Sequence, residues 1–212
     1  LRRSPAYYGW DIFPRMACGG ITRGVFLSEY EPEKFVEYSL YAAKAFEDYA
    51  EINLYYNFTV SAPDHTDYKI TVSGKCGDSE FNYECVPWHN METARFRVEK
   101  PRLWYPRGYG EANVYDVTIR LIKRGEIVDE KTLGFGIRSV RLDRTTLVTD
   151  ENAKFEFVVN GKKVFVLGTN WVPVDALHED YDGRVKRALE LTTDIGCNAV
   201  RVWGGGLYET DE

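Results

Sequence analysis

The chain has 212 residues, of which 44% are hydrophobic, 15% aromatic and 28% charged, and its formal net charge is −6. This composition is typical of a folded globular protein and excludes a disordered chain. The acidic balance disfavours nucleic acid as a partner, and no apolar run reaches the ~18–20 residues of a transmembrane helix, so no membrane partner is expected.

Loop-forming residues dominate the first 30 positions, where glycine, proline and aromatic side chains alternate along the chain. Residues 21–27 then have an apolar pattern that predicts a strand. The segment offers its aromatic side chains few partners. We therefore expect it to be the edge of a sheet whose other strands are missing from this chain.

Seven short segments between residues 31 and 142 have the alternating, aromatic and β-branched pattern of strands. They are residues 35–40, 52–60, 68–73, 80–85, 94–98, 115–122 and 127–133. Clusters of Pro, Gly, Asn and Asp separate them, and no amphipathic helix lies between them. Seven strands over roughly 100 residues predict an immunoglobulin-like β-sandwich, although the Cys…Trp…Cys pattern of antibody domains is absent.

The pattern changes after residue 142. A hairpin is predicted at residues 155–167 because Asn160-Gly161 supplies the two positive φ angles of a type I′ turn. Residues 181–195 have the periodicity of a helix that ends at Gly196, and residues 198–203 form an apolar strand. Strand, helix and buried strand predict a βαβ unit with parallel strands.

Cysteine and histidine spacing gives no support for a metal site or other cofactor. The four cysteines, at positions 18, 76, 85 and 197, form no CxxC pair, and the three histidines have no partner at ligand spacing. Cys76 and Cys85 flank a short segment and could face each other across a hairpin. Free, partly buried thiols are the alternative that the pattern favours.

Five motifs stand in order along the chain. They are Gly9-Trp10-Asp11 with Pro14-Arg15, Leu103-Trp104-Tyr105-Pro106-Arg107-Gly108-Tyr109-Gly110, Gly134-Phe135-Gly136-Ile137-Arg138, residues 157–175 with Gly168-Thr169-Asn170-Trp171, and residues 198–209 with Trp203-Gly204-Gly205-Gly206. Together they resemble the β-mannosidase-like enzymes of glycoside hydrolase family 2. Residues 31–99 contain no motif of this family, so their interpretation rests on the strand pattern alone.

The resemblance implies a mainly β architecture in three parts. Residues 1–30 would be the C-terminal tail of a jelly-roll sugar-binding domain, with its last strands. Residues 31–142 would be the immunoglobulin-like β-sandwich, and residues 143–212 the first βαβ part of a (β/α)₈ TIM-barrel catalytic domain. The two outer parts would contact missing domains of a parent chain.

The activity implied by the resemblance is that of a retaining exo-β-glycosidase that removes terminal β-linked sugars, above all β-mannosides, from a carbohydrate substrate. Such enzymes use two carboxylates, an acid/base and a nucleophile. The family carries both on later barrel strands, so we expect them beyond residue 212 and expect the isolated fragment to be inactive. Asp11, Asp175, Glu209 and Asp211 do not occupy these positions, and solvated loop or capping roles are expected for Glu209 and Asp211.

The resemblance also implies a partial sugar subsite. Trp10 and Asp11 would reach the barrel mouth, where an indole stacks on a pyranose and a carboxylate accepts hydrogen bonds from hydroxyls. Arg201 and Trp203 end a barrel strand, and Asn170 ends the preceding one. For all five residues the alternative is a packing role in the loop or barrel.

Two further alternatives remain open at this level. The chain could instead be a non-catalytic immunoglobulin-like module for protein interaction or carbohydrate adhesion. The aromatic side chains of Trp104, Tyr105 and Tyr109 could bind sugar, but the family resemblance favours packing of the sandwich against a neighbouring domain. The sequence does not indicate a cellular compartment.

Overall fold

The computed structural model describes residues 4–16, 19–21, 25–27, 29, 31–61, 65–145, 153–175 and 181–209. The chain divides into two compact units. The first combines Leu1–Ser28 with Phe165–Glu212, and the second is Glu29–Val164.

Strands dominate the described residues. They are β1 Phe35–Ala45, β2 Tyr49–Phe58, β3 Tyr68–Cys76, β4 Ser79–Cys85, β5 Met91–Glu99, β6 Tyr115–Lys123, β7 Glu126–Phe135, β8 Val140–Arg144, β9 Phe155–Val159, β10 Lys162–Val164, β11 Gly168–Trp171 and β12 Ala199–Val202. The α-helix α1 spans Tyr181–Asp194, and 3₁₀ turns span Pro5–Tyr8 and His65–Asp67.

The predicted β-sandwich is confirmed, and all seven predicted segments form its strands. One sheet has the order β1-β2-β5 and the other β4-β3-β6-β7, with antiparallel pairing throughout. Strand β4 therefore pairs with β3, whereas the fourth strand of a constant-type immunoglobulin domain lies in the sheet of the fifth. This pairing is decided by tertiary packing, and the strand pattern of the sequence does not encode it.

The hydrophobic core lies between these two sheets. Strand β6 illustrates its origin, because Tyr115, Val117, Ile119 and Leu121 alternate along the strand and are each at most 1% exposed. The members of the main buried cluster all lie between residues 35 and 137. Of the described residues, those of the other unit contribute nothing to this cluster.

A buried carboxylate secures the start of the sandwich. Glu33 is 8% exposed and accepts hydrogen bonds from Ser61, from the Tyr68 hydroxyl over 2.6 Å and from Lys123 Nζ over 2.5 Å. Burial raises the pKa of Glu33, but the hydrogen bonds from Lys123, Ser61 and Tyr68 outweigh it and lower the pKa to about 2. The segment before β1 is therefore tied to β3 and β6.

A three-stranded sheet of order β10-β9-β8 follows the sandwich in the same unit. The predicted turn is confirmed, since Asn160 and Gly161 have φ angles of 48° and 80°. The Asn160 side chain donates to the Trp104 carbonyl and accepts from the Ser139 amide. The aromatic loop at residues 104–109 thus contacts this hairpin, within one compact unit.

The second half of the predicted hairpin was too long. Strand β10 ends at Val164, and residues 165–167 are not in a strand. Phe165 is 74% exposed. The side chain and backbone of Asn198 instead bond the 165–167 backbone, with Leu167 N–H donating to Asn198 Oδ1 over 2.9 Å. Here hydrogen bonds to Asn198, which is distant along the chain, replace strand pairing. A local sequence pattern does not reveal such bonds.

The βαβ unit is confirmed. Strands β11 and β12 pair in parallel, and helix α1 connects them. The helix ends in a Schellman motif, because the Cys197 amide donates to Thr192 O and the Gly196 amide to Thr193 O, with φ of 87° at Gly196. Leu189 of the helix and Ile195, which directly follows it, are 45% and 74% exposed.

The structure corrects one sequence expectation and, for Cys76 and Cys85, confirms the favoured alternative of free, partly buried thiols. Residues 22–24 of the predicted strand 21–27 lie outside the described residues, and residues 21 and 25–27 form no strand but expose their apolar side chains. Cys76 and Cys85 do not face each other, since Cys76 pairs with Ser79 and Cys85 with Ile70 across β3 and β4. Six residues of strand separate the two thiols, beyond disulfide reach.

Candidate functional site

A tight turn near the start of the chain presents two of the predicted site residues. Trp10 and Phe13 exchange two backbone hydrogen bonds of 3.1 and 3.0 Å, so Asp11 and Ile12 occupy the corner of the turn. Asp11 is exposed and the Trp10 indole is 49% exposed. A carboxylate and an aromatic face therefore stand side by side in contact with solvent.

The structure brings Trp10 together with Trp203. Their ring centroids lie 4.5 Å apart with the planes at 36°, a distance at which aromatic pairs attract each other. Trp203 directly follows β12 and begins a turn that the Gly206 amide closes on the Trp203 carbonyl over 2.8 Å. The three glycines after Trp203 thus form a tight turn, and the Trp203 ring at its start is one half of an aromatic pair.

Asn170 and Arg201 form a second pair. They are register partners in the parallel β11–β12 ladder, and Arg201 Nη1 donates to Asn170 Oδ1 over 2.8 Å. Both residues are exposed. Arg201 therefore has the polar partner that a charge in an apolar strand requires, without being buried.

Glu209 is a residue that sequence reasoning underestimated. It was expected to be solvated, but its Oε1 accepts a hydrogen bond of 2.8 Å from Trp171 Nε1, and the Trp171 side chain is 6% exposed. The bond links the loop after β12 to the end of β11. No local pattern reports a contact across 38 residues. Asp211 lies outside the described residues.

Asp175 is buried, and its contacts join parts of the fold. It is 9% exposed, its Oδ2 lies 3.5 Å from Arg184 Nε of α1, and its carbonyl accepts from the Tyr7 hydroxyl. These contacts join the loop after β11 to the helix and to the N-terminal segment. They do not present the carboxylate to solvent.

A cavity of about 670 Å³ lies in the same unit. Its walls are residues 12–14, residues 169–175 and one side of α1 with Arg184 and Arg187. Of the five predicted site residues, Asn170 lines this cavity, whereas Trp10, Asp11, Arg201 and Trp203 do not. Four of the predicted residues therefore form two contacting pairs, Trp10–Trp203 and Asn170–Arg201, and Asp11 follows Trp10 in its turn, so the five do not line one enclosed pocket.

The described side chains offer stacking and hydrogen bonding. An exposed indole can pack on the apolar face of a ring, and a carboxylate, an amide and a guanidinium can bind hydroxyl groups. Among the described residues, no group of three or more His, Cys, Asp or Glu side chains could hold a metal ion. In that part of the chain, no helix has the length and apolarity to cross a membrane.

Comparison with known proteins finds similarity to the same family that the motifs resemble. Residues 39–138 match the sequence profile of glycosyl hydrolases family 2. The chain is 29% identical over 229 aligned positions to β-mannosidase B of Aspergillus fumigatus, covering 99% of this chain and 25% of that protein. The resemblance drawn from the five motifs is confirmed.

Solved structures show the same similarity. The crystal structure of a β-D-mannosidase from Dictyoglomus thermophilum superposes on 99% of this chain with a TM-score of 0.82 and 28% identity, and 26% of that chain is covered. A β-glucuronidase from Bacteroides uniformis matches 81% of this chain with a TM-score of 0.57 and 20% identity, a likeness of fold alone. The chain spans about a quarter of the length of the curated relatives it matches.

Proposed function

We propose that this chain, whose residues 39–138 match the profile of glycosyl hydrolases family 2, is part of a retaining exo-β-glycosidase acting on terminal β-mannosides. The observation that carries this proposal is similarity over 99% of the chain to proteins named β-mannosidase, both in sequence and in structure. Identity to the β-glucuronidase is lower, at 20% over a smaller part of the chain.

Under this proposal the chain contributes a sugar subsite and no catalytic carboxylate. Trp10 stacks on a pyranose ring, and Asp11, at the corner of the same turn, accepts hydrogen bonds from sugar hydroxyls. The Asn170–Arg201 pair orients polar groups at the carboxyl ends of β11 and β12, the end of a (β/α)₈ barrel where active sites are built. The jelly-roll tail, the sandwich and the barrel start, bounded at residues 30 and 142, remain the proposed domain division.

A second function has one observation in its favour. Trp88, in the loop between β4 and β5 of the sandwich, is 81% exposed, and its amide is anchored by Glu92 over 3.2 Å. An exposed indole on a fixed loop can serve as a platform for a sugar ring. This feature favours carbohydrate adhesion by the sandwich as the alternative to a catalytic subsite.

The decisive experiment measures hydrolysis by the full-length protein that contains this chain. Nitrophenyl β-mannoside, β-glucoside, β-galactoside, β-glucuronide and β-glucosaminide are compared, and the anomer first released from the mannoside is identified by NMR. We expect the mannoside to give the highest kcat/KM and the β-anomer to appear first. The 212-residue chain alone should give no turnover.

Matched tryptophan variants separate the two functions. Trp10→Ala should lower kcat/KM for the mannoside at least tenfold, the effect of losing roughly 1.4 kcal/mol of stacking and hydrogen bonding. Trp88→Ala should leave it unchanged. The reverse pattern, with loss of oligosaccharide binding by Trp88→Ala and no effect of Trp10→Ala, would favour the adhesion module.

A further inference from the structure

The three consecutive glycines after β12 are not equivalent. A Cβ atom on Gly205 would lie 2.0 Å from Cζ3 and 2.1 Å from Cη2 of Trp203, whereas a Cβ on Gly204 would meet no atom within 4 Å. Gly205 is also buried, while Gly204 is exposed. The Trp203 indole therefore lies directly against the Gly205 backbone, and this contact leaves no space for a side chain.

The same loop holds the N-terminal segment. The Gly205 carbonyl accepts hydrogen bonds from the Ser4 hydroxyl and from the Ala6 amide, the latter over 3.4 Å. The Trp203 indole, held against Gly205, lies 4.5 Å from the Trp10 ring. The segment before Trp10 and Trp10 itself thus both contact the loop at Gly205.

Asp11 depends on these contacts through the backbone. Trp10 and Phe13 are joined by two hydrogen bonds, so the corner residue Asp11 is fixed relative to Trp10. The Tyr7 and Phe13 rings, 5.2 Å apart, support the same turn from within the N-terminal segment. A displacement of Trp10 would consequently move the Asp11 carboxylate.

We propose that Gly205 is a positioning residue for the sugar subsite: by its lack of a side chain it lets Trp203 seat Trp10 and so fixes Asp11. The expected effect on catalysis rests on the proposed function, whereas the contacts from which the inference is drawn are independent of that function. A Cβ at position 205 would have to gain more than 1 Å from the indole to reach the ordinary contact distance of 3.4 Å. A misplacement of about 1 Å is enough to change binding or turnover strongly.

The first test is spectroscopic and needs no activity. Two indoles at this separation couple their electronic transitions and give an exciton couplet in the far-ultraviolet circular dichroism spectrum. In the 212-residue chain the couplet should be lost in Gly205→Ala and in Trp10→Phe, and kept in Gly204→Ala, the adjacent glycine with free space. A couplet that survives in Gly205→Ala would overturn the proposal.

The second test uses kinetics of the full-length protein. Gly205→Ala should raise KM for the β-mannoside about tenfold, the loss of one hydrogen bond to a carboxylate, with kcat changed less than twofold, and Gly204→Ala should change neither. In a Trp203→Ala background, Gly205→Ala should have no further effect, because the clash has been removed. Equal effects of the two glycine variants, or full additivity with Trp203→Ala, would contradict the proposal.

The proposed function and the role of Gly205 can be refuted independently of each other. A full-length protein that hydrolyses no β-glycoside refutes the proposed function, and the couplet then still decides whether Gly205 seats Trp203 against Trp10. If Gly205→Ala does not fold, the Trp203→Ala/Gly205→Ala double variant is compared with Trp203→Ala by thermal unfolding. Equal midpoints support a clash through Trp203, and a lower midpoint in the double variant opposes it.

Discussion

Arg201 and Asn170 are direct partners in the parallel β11–β12 ladder, and the Arg201 guanidinium donates to the Asn170 side-chain oxygen over 2.8 Å. Both side chains are exposed, so the pair is a surface feature at the carboxyl ends of two strands. Its polar groups are preoriented by backbone pairing. The pair therefore offers a direct test of the proposed subsite.

Arg201→Lys should lower kcat/KM of the full-length protein on the β-mannoside about tenfold. Lysine keeps the positive charge but lacks the planar fork that can bind Asn170 and a sugar hydroxyl at the same time. Asn170→Ala should have a similar effect, and the double variant should lose less than the product of the two. Arg141→Lys in β8, which alters an exposed ion pair with Asp143, is the control. An effect of Arg141→Lys as large as that of Arg201→Lys would contradict the assignment.

Acid should destabilise the chain through Glu33. The pKa of this group is lowered from 4.5 to about 2 in the folded state, so the stabilisation is fully present above pH 4.5 and is lost as the pH falls towards 2. The contribution is on the order of 2 kcal/mol after allowance for the partly exposed Lys123 end of the pair. Urea unfolding at pH 7, 5, 4 and 3 measures this loss.

The matched variants for this pH dependence are Glu33→Gln and Glu84→Gln. Glu33→Gln should unfold more easily at pH 7 and should lose less stability between pH 5 and 3 than the parent chain. Glu84, which is 66% exposed in its pair with Lys69, should give a variant with the parental pH profile. A parental profile in Glu33→Gln would show that other groups carry the acid sensitivity.

Gly74 of β3 should not tolerate alanine. A Cβ there would lie 2.3 Å from Cζ of Phe81, a core side chain on the neighbouring strand that packs on Tyr115 with ring centroids 5.6 Å apart. Gly74→Ala should reduce the free energy of unfolding by about 1–3 kcal/mol, the usual cost of overpacking. In a Phe81→Leu background the cost should fall, and an undiminished cost would show that the backbone, not the ring, resists the Cβ.

Two substitutions of Asn160, in the β9–β10 turn, should separate the stability effect of backbone strain from that of hydrogen bonding. Asn160 has a φ of 48° and bonds both the Trp104 carbonyl and the Ser139 amide. Asn160→Ala loses the two bonds and adds strain, so we expect a cost of roughly 2–3 kcal/mol. Asn160→Gly loses the bonds alone and should cost about 1 kcal/mol less. Equal costs for both variants, by urea unfolding, would exclude a contribution from φ.

The local patterns of the sequence determined much of this architecture. Alternation identified strands such as β6, Asn160-Gly161 identified a turn, and Gly196 identified the end of α1. Each of these features depends on backbone geometry within a few residues, so the residues themselves report it. The five motifs added the family, because their order along the chain is a property of sequence as well.

Only the tertiary structure decided the rest. The pairing of β4 with β3, the release of residues 165–167 from strand pairing and the Trp171–Glu209 bond all join distant residues. For the candidate site the sequence supplied Trp10, Asp11 and Trp203 through resemblance, but Gly205 only as one of three identical glycines. The position of the Trp203 ring distinguishes it from its neighbours, since whether a side chain fits depends on atoms brought there by folding.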